Sequence, residues 1–482
     1  MHLGLDLGTS GLKALIMDDQ QQVVAVKTVP LTVSRPYPGW SEQHPADWIE
    51  ACIQVFHQLQ DYLPHVQSVG IAGHMHGVVM LDAAGEVLRP CMLWNDTRAT
   101  EQALALDSDP IFQQISGTIV FPGFSAPKLL WVKEHEPQVW SAFRTVLFPK
   151  DYLAYWLTGQ MHAEPSDAAG SALFDCAAGC WSAPLCQASG IPISTLPALV
   201  PSDGVRGHIR VDHVSRYGFL SDTVVAGGAG DNAGASIGIG AVRDGQGQVS
   251  LGTSGVLLTV NERWTPEATT AVHSFNHAVA QSYIQMGVTL TATDSLSWLA
   301  DVLGEEPSVL AAALPEVSDG PSDLLFLPYL AGERTPHNMG EAKGAFFGLS
   351  REHGPSHLTQ SVMEGVAYSI ADCAQSLTTA GASIERLVVV GGGAQSSFWV
   401  QTLADVLERP LAIDLRAEHA AALGAARLGM AAAASLPVST IVAQAETVIN
   451  AANVVEPRPS LFPFYRRAVA RYRSLFAAIK GV

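Results

Sequence analysis

The pentapeptide Leu-Gly-Thr-Ser-Gly occurs twice, at residues 7–11 and 251–255, 244 positions apart and each time between two apolar runs. Its glycines expose backbone N–H groups, and Thr9, Ser10, Thr253 and Ser254 add hydroxyl donors next to Gly8 and Gly252. A turn of this kind can hold phosphate oxygens. It can also be a plain turn in which glycine supplies a positive φ. Two copies opening matching halves of a chain favour the first reading: facing each other across a cleft, they would grip a polyphosphate from both sides. Asp6 ends the strand before the first copy, and its charge opposes phosphate unless a cation intervenes. It suits a ligand of Mg²⁺, held through water because that ion dehydrates reluctantly. Lys13 either neutralises phosphate charge or lies on the surface.

Gly-Gly-Ala-Gly-Asp-Asn (227–232) puts Asp231 where a strand ends and a helix begins. One reading makes Asp231 an N-cap. The other makes it a general base for a hydroxyl nucleophile, kept ionised by the helix N-terminus. Strand ends of this kind are where open α/β sheets place ligands. Val-Val-Val-Gly-Gly-Gly-Ala-Gln-Ser-Ser (388–397) reads as strand, turn and helix. The bare backbone around Gly392, Gly393 and Ala394 suits a flat adenine or a ribose. His-Met-His-Gly (74–77) and Leu-Trp-Asn-Asp-Thr-Arg (93–98) put polar side chains at strand ends. Sugars need convergent donors and acceptors beside an apolar wall, and His76, Trp94, Asn95 and Asp96 supply both kinds of group. A structural histidine is the competing reading for His76.

Positioning these residues requires two similar units. Residues 3–7, 12–18 and 23–33 read as an antiparallel meander joined by tight turns. Residues 44–63 read as a helix, with Pro45 in its first turn and Trp48, Cys52, Val55 and Leu59 on one face. Strands follow at 66–73 and 77–82, then one near 223–231 that leads into a Gly- and Ala-rich helix. The polar run Arg-Asp-Gly-Gln-Gly-Gln (243–248) separates the halves, after which the same order restarts: strand, turn, strand, helices, then strand 386–393 and a helix. Meander strands mixed with βαβ units predict α/β layers around mixed sheets. The expected division is 1–243 and 244–482.

The 482 residues carry 48% hydrophobic and 15% charged side chains and a formal net charge of −18. That charge repels nucleic acid and anionic membranes. Cys176, Cys180 and Cys186 lie close together without a Cys-x-x-Cys pair or a histidine run, so they read as thiols and not as zinc ligands. No basic leader precedes the first strand, and the Ala-rich stretch 420–438 contains Arg427, which suits a packed helix and not a membrane span. A reducing cytoplasm is the expected compartment.

Two longer segments give a family resemblance. Gly-Phe-Ser-Ala-Pro-Lys-Leu-Leu-Trp-Val-Lys-Glu-His (123–135), with Lys128 and Trp131, resembles the N-terminal signature of the FGGY carbohydrate kinases. Residues 344–364, with Gly344, Gly348, His357 and Glu364, resemble the C-terminal one. The likeness runs from residue 3 to about 430. It implies two ribonuclease-H-like domains of the actin–hexokinase–Hsp70 superfold with a cleft between them. The first would bind sugar and the second ATP with Mg²⁺. Within the family, Pro-Gly-Trp-Ser-Glu-Gln-His-Pro-Ala-Asp-Trp (38–48), Pro-Lys-Asp-Tyr-Leu (149–153), Ser-Asp-Ala-Ala-Gly (166–170) and Leu-Pro-Tyr-Leu-Ala-Gly-Glu-Arg-Thr-Pro-His (327–337) are similar to the subgroup that phosphorylates D-xylulose at its 5-hydroxyl. The resemblance implies Asp231 as base, Asp6 at the metal and phosphates, and Met75, His76 and Asn232 at the sugar. A homodimer is the family-level expectation. Kinases for ribulose or glycerol, and a non-catalytic sugar-binding protein, are the rival readings. His74 stands where glutamine is usual, a change that would bear on sugar fit, and His44 where aspartate is usual, which would alter only a helix cap.

Overall fold

Leu3, Leu5 and Leu7 alternate along the first strand and are fully buried against Trp48, Cys52, Val55 and Phe56, as a strand's period of two requires. In the computed structural model, which describes residues 1–413, 415–445 and 454–480, that strand is β1 (His2–Leu7). The first sheet continues with β2 (Gly11–Met17), β3 (Val23–Pro30), β4 (Ser68–Gly73), β5 (Val205–His208) and β6 (Val224–Ala226), in the order β5-β6-β4-β1-β2-β3. A short β7 (Ala229–Gly230) also pairs with β4. Strands β1, β2 and β3 form the expected antiparallel meander, while β4 and β6 run parallel to β1 and to each other.

The second sheet contains β8 (Gln246–Leu251), β9 (Gly255–Asn261), β10 (His273–Asn276), β11 (Tyr283–Thr289), β12 (Arg386–Val390), β13 (Leu411–Ile413) and β14 (Val454–Val455). Its order is β10-β11-β9-β8-β12-β13-β14. Apart from the extra edge strand β10, every strand of this sheet has a counterpart in the first. The meander β8-β9-β11 matches β1-β2-β3, parallel β12 and β13 match β4 and β6, and antiparallel β14 matches β5. The repeated pentapeptide is therefore the β1–β2 turn and its equivalent between β8 and β9.

The helices follow the same logic. In α1 (Pro45–Gln58), His44 is the N-cap and its Nδ1 accepts from the Ala46 N–H. The others used below are α2 (Ser125–His135), α3 (Asp231–Ile239), α4 (Thr293–Leu303), α5 (Pro355–Thr379), α6 (Ser397–Leu407), α7 (Ala420–Ala434) and α8 (Phe462–Ile479). The Ala-rich α7 does not cover its own half. It lies on the first sheet, where a Cβ at Gly4 would overlap the Ala422 carbonyl oxygen and one at Gly70 that of Ala425. It also interlocks with α3, because Gly238 and Gly424 leave room for the carbonyls of Ala420 and Gly234. Arg427 of α7 donates from Nη1 to the carbonyls of Ile237 and Gly238 (2.8 and 2.9 Å), closing the C-terminus of α3 with a cation. Among the described residues no single helix is long and apolar enough to cross a membrane. The C-terminal α8 buries Tyr465, Tyr472 and Phe476 against Tyr329 and Leu325.

Three expectations differ. After β9 the chain forms β10 and β11 before the first helix of the second half, α4, where helices are expected to follow directly. The strand at 77–82 is only Val79–Leu81 and pairs with Thr145–Leu147 outside the main sheet. The strand at 223–231 breaks at Gly227-Gly228, whose N–H groups turn away to the carbonyls of Gly204 and Ser202 while Gly228 takes φ +87°.

Candidate functional site

The C-terminal ends of β1, β4 and β7 lie side by side: Leu7 pairs with Gly73, and Gly73 with Gly230. Asp6 is one residue from the end of β1, and Asp231 directly follows β7 as the first residue of α3. The N-cap position belongs to Gly230, so Asp231 is not the cap. Its Oδ1 accepts from the backbone and side-chain amides of Asn232 (2.7 and 2.9 Å). Its Oδ2 has no hydrogen bond among the described residues. Burial pushes the Asp231 carboxyl up to about 6, against the pull of the Asn232 bonds. Asp6 is pushed up to about 7, first by burial and then by the Asp231 charge, with Lys13 opposing. Lys13 faces Asp6 across the ladder, and its Nζ donates to the Glu418 carbonyl at 2.6 Å. Burial is the first cause of both shifts, and a cation beside Asp6 would favour its ionised form.

The glycines of the repeated turns do not serve a positive φ: Gly8, Gly11, Gly252 and Gly255 all avoid that region. They serve space. A Cβ on Gly11 would lie 2.9 Å from the Val29 carbonyl oxygen, and one on Gly255 2.6 Å from the Thr289 methyl. The first turn is braced from outside, since Gln43 Nε2 donates to the Thr9 carbonyl (2.8 Å) and Trp94 Nε1 to the Thr9 hydroxyl (3.0 Å). Ser10 is exposed. In the second turn the carbonyls of Gly252 and Thr253 accept from Thr293 and Ala292 at the start of α4 (2.9 and 2.7 Å). The turn after β12 packs against it: Gly391 has φ +89°, and a Cβ on Gly393 would meet Leu251 at 2.7 Å. Gly392 and Gly393 line a cavity of about 560 Å³ with Thr293, Leu296, Ser396 and Trp399. Ala394 adjoins this turn without lining the cavity.

A second cavity, of about 390 Å³, brings together Met75, His76, Trp94, Asn95, Asp96, Asp231, Asn232 and Ser254. His76 holds a left-handed backbone, φ +69°, which is uncommon for a non-glycine residue and costly unless its surroundings impose it. Those surroundings are visible. Its carbonyl accepts from Ser125 Oγ and Lys128 Nζ (both 3.1 Å), its Nδ1 donates to the Gly170 carbonyl (2.7 Å), and its ring stacks on Phe124 at 4.6 Å. Burial lowers the ring's pKa to about 3, so it is neutral with Nε2 free to accept. Asn95 Oδ1 is buried without a partner among the described residues. Asp96 borders the cavity, yet its oxygens are taken by the Ser41 N–H (2.7 Å) and by Arg98. Arg98 in turn lies 3.5 Å over the Trp40 ring. Trp94 remains 46% exposed. His74 packs edge-on to Trp48, outside the cavity lining.

Sequence reasoning missed the wall contributed by the second half: His273, Phe275 and Arg334 line the same cavity. The Arg334 guanidinium lies 4.7 Å from the Phe121 ring centroid, and burial lowers its pKa. The signal was an arginine inside Leu-Ala-Gly-Glu-Arg-Thr-Pro-His, in a chain with only 27 lysines and arginines. In the first signature segment Gly123 and Phe124 line the cavity, while Lys128, and Glu364 of the second, hold the scaffold. Lys128 pins the His76 and Met92 carbonyls, and Glu364 of α5 accepts from Ser322, Gln360 and Tyr368.

Comparison with known proteins agrees with this architecture. The chain is 42% identical over 438 residues to a xylulose kinase of Escherichia coli (strain K12), with 90% of each chain covered. It is 43% identical over 434 residues to a xylulose kinase of Klebsiella pneumoniae, with 89% of each covered. The fold matches the crystal structure of a xyloylose kinase from Brucella ovis with a TM-score of 0.96, at 44% identity and 99% coverage of both chains. Residues 1–238 match the N-terminal domain of the FGGY family of carbohydrate kinases and residues 247–433 its C-terminal domain. Two matched sheets, a repeated turn and a polar cavity between the halves are thus the build of one family: the chain belongs to the FGGY carbohydrate kinases.

Proposed function

We propose that the chain transfers the γ-phosphoryl group of ATP to the 5-hydroxyl of D-xylulose, giving D-xylulose 5-phosphate and ADP in xylose catabolism. The observation that carries this reading is the acceptor set in the 390 Å³ cavity, where Asp231 Oδ2, His76 Nε2 and Asn95 Oδ1 can each take a hydroxyl proton or hydrogen bond. A small polyol brings the matching donors. Relatives that carry the same activity in their names, at 42–43% identity, support the choice of sugar.

In this reading the 5-hydroxyl oxygen bonds to the γ-phosphorus, the bond to ADP breaks, and Asp231 takes the proton. Positioning and charge stabilisation do most of the work in such a transfer. Residues 1–243 hold the sugar, with His273, Phe275 and Arg334 completing its wall, and residues 244–482 hold the nucleotide. Adenosine occupies the 560 Å³ cavity against Gly392 and Gly393, with Ala394 beside the same turn. Thr9, Ser10, Lys13, Gly252, Thr253 and Ser254 serve the phosphates, Lys13 after release from the Glu418 carbonyl. Asp6 would hold Mg²⁺ through water, and the ion supplies charge neutralisation at the phosphates. The protein works in the cytoplasm as a homodimer, which light scattering checks.

The test is ADP release with xylulose, ribulose, fructose, gluconate and glycerol as acceptors. Xylulose should give the highest kcat/KM. A higher value with another acceptor would transfer the assignment to that sugar. Sugar binding without ADP release from any acceptor would favour a binding protein.

A further inference from the structure

Two segments singled out by the sequence, residues 149–153 and 166–170, have no part in the transfer described above. The fold brings them together behind the cavity. Lys150 Nζ lies 2.8 Å from Asp151 Oδ1, 3.3 Å from Glu164 Oε1 and 3.4 Å from Asp167 Oδ2, and Arg206 Nη2 lies 2.7 Å from Asp151 Oδ1. All five side chains are at most 1% exposed. Buried ion clusters are poor sources of stability, because apolar residues of similar volume often do as well. Their geometry is what apolar residues cannot copy.

That geometry leads to the site at two points. Glu164 accepts from the Ser166 N–H and hydroxyl (2.8 and 2.9 Å), from the Asp167 N–H (2.9 Å) and from Ser202 Oγ (2.6 Å). With its proton committed to Glu164, the Ser166 hydroxyl presents a lone pair, which takes the Gly230 N–H at 3.0 Å. Gly230 immediately precedes Asp231. Four residues on, the Gly170 carbonyl takes the His76 Nδ1 proton at 2.7 Å. A Cβ at Gly170 would lie 2.6 Å from that same Nδ1. Between the two contacts the chain is one short helical turn, Pro165–Ala168, continued by the 3₁₀ turn Ala169–Ser171.

We infer that Glu164–Gly170 is a bracket, anchored by the Lys150 cluster, that fixes the separation between Asp231 and His76, with Ser166 and Gly170 as its positioning residues. The inference rests on the reading of Asp231 as base and His76 as sugar contact.

The test is steady-state kinetics with xylulose and Mg²⁺–ATP, together with melting temperatures. Ser166→Ala frees the loop that carries the base, and displacements of about 1 Å can cost roughly a hundredfold in rate. It should lower kcat by roughly ten- to a hundredfold while the xylulose KM stays within about twofold. Ser166→Thr keeps the hydroxyl and should recover most of the rate. Gly170→Ala pushes the His76 ring and should raise the xylulose KM roughly tenfold, leaving the KM for ATP unchanged. Adding His76→Ala removes the ring the new methyl strikes and leaves only the flexible Met75 Cε at 2.9 Å, so the double variant should lie close to His76→Ala alone. Equal impairment of Ser166→Ala and Ser166→Thr, additive effects of Gly170→Ala and His76→Ala, or kinetic losses that merely track melting temperature would overturn the bracket. Asp231→Asn, run alongside, separates the two levels. If it keeps near-full activity, the base reading fails and the bracket with it. If it loses activity while Ser166→Ala does not, the bracket alone fails.

Discussion

Asp231 answers to two opposed influences: burial raises its pKa and the Asn232 amides lower it, leaving it at about 6. A base must be ionised to act, so at saturating Mg²⁺ kcat/KM for the sugar should fall about tenfold per pH unit below about 6 and be level above it. Asp231→Asn should remove that acid limb and lower kcat on the order of 10²–10⁴-fold, with nucleotide affinity unchanged. A limb that survives the substitution assigns it to another group. Asp6 gives a separate handle. Its pKa of about 7 reflects burial and the Asp231 charge. Below that value protons compete with a cation, and above it the ionised pair destabilises the fold until a cation binds. Mg²⁺ should therefore raise the melting temperature more at pH 8 than at pH 5.5, and Asp6→Ala should abolish the difference. Both aspartates stood out as candidates because each sits in a local motif. The commitments of Lys13 and Asp96 were not, since the Glu418 carbonyl is 405 residues away and the Arg98 clamp depends on the Trp40 ring.

Among the elements, α7 makes the tightest demands on sequence. Gly4 and Gly70 are direct neighbours across the β1–β4 ladder, and both face α7 backbone. An added methyl at Gly70 must push the helix off the sheet, and overpacking of this kind typically costs about 1–3 kcal/mol, occasionally more. Gly70→Ala should lower the melting temperature sharply. Gly340→Ala, where a Cβ meets nothing within 4 Å, should leave it almost unchanged; similar behaviour of the two would refute the close approach. Strands and helices with a clear period could be placed from the sequence to within a few residues: meander, α1 and α6 among them. Their partners could not. Nothing local to residues 420–434 says that this helix leaves the half it belongs to in the chain. The break at Gly227-Gly228 depends on carbonyls of a loop at 202–204 that only the folded chain brings near.

At the scale of the whole molecule, the cavity is walled by both halves, with Met75, His76 and Asp231 on one side and Ser254, His273 and Arg334 on the other. A hydroxyl and a phosphorus held by different halves must come within roughly 3–3.5 Å for attack, and excluding water protects ATP from hydrolysis. Small-angle scattering should show a smaller radius of gyration with xylulose plus a non-hydrolysable ATP analogue than with either alone. No change, with calorimetry confirming that both are bound, would mean the repeated turns reflect matching halves and not a closing clamp. The placement of α7 also has a consequence for how the chain is made. Gly4 and Gly70 leave the ribosome hundreds of residues before the helix that covers them. The first sheet therefore waits with one face open, Leu15 and Met17 included, through most of translation. Long-range closures of this kind are slow, and the exposed surface is prone to stick meanwhile. Cutting the gene at the midpoint would not yield two working halves, because the first would lack its lid and the second would carry an apolar helix with nowhere to dock.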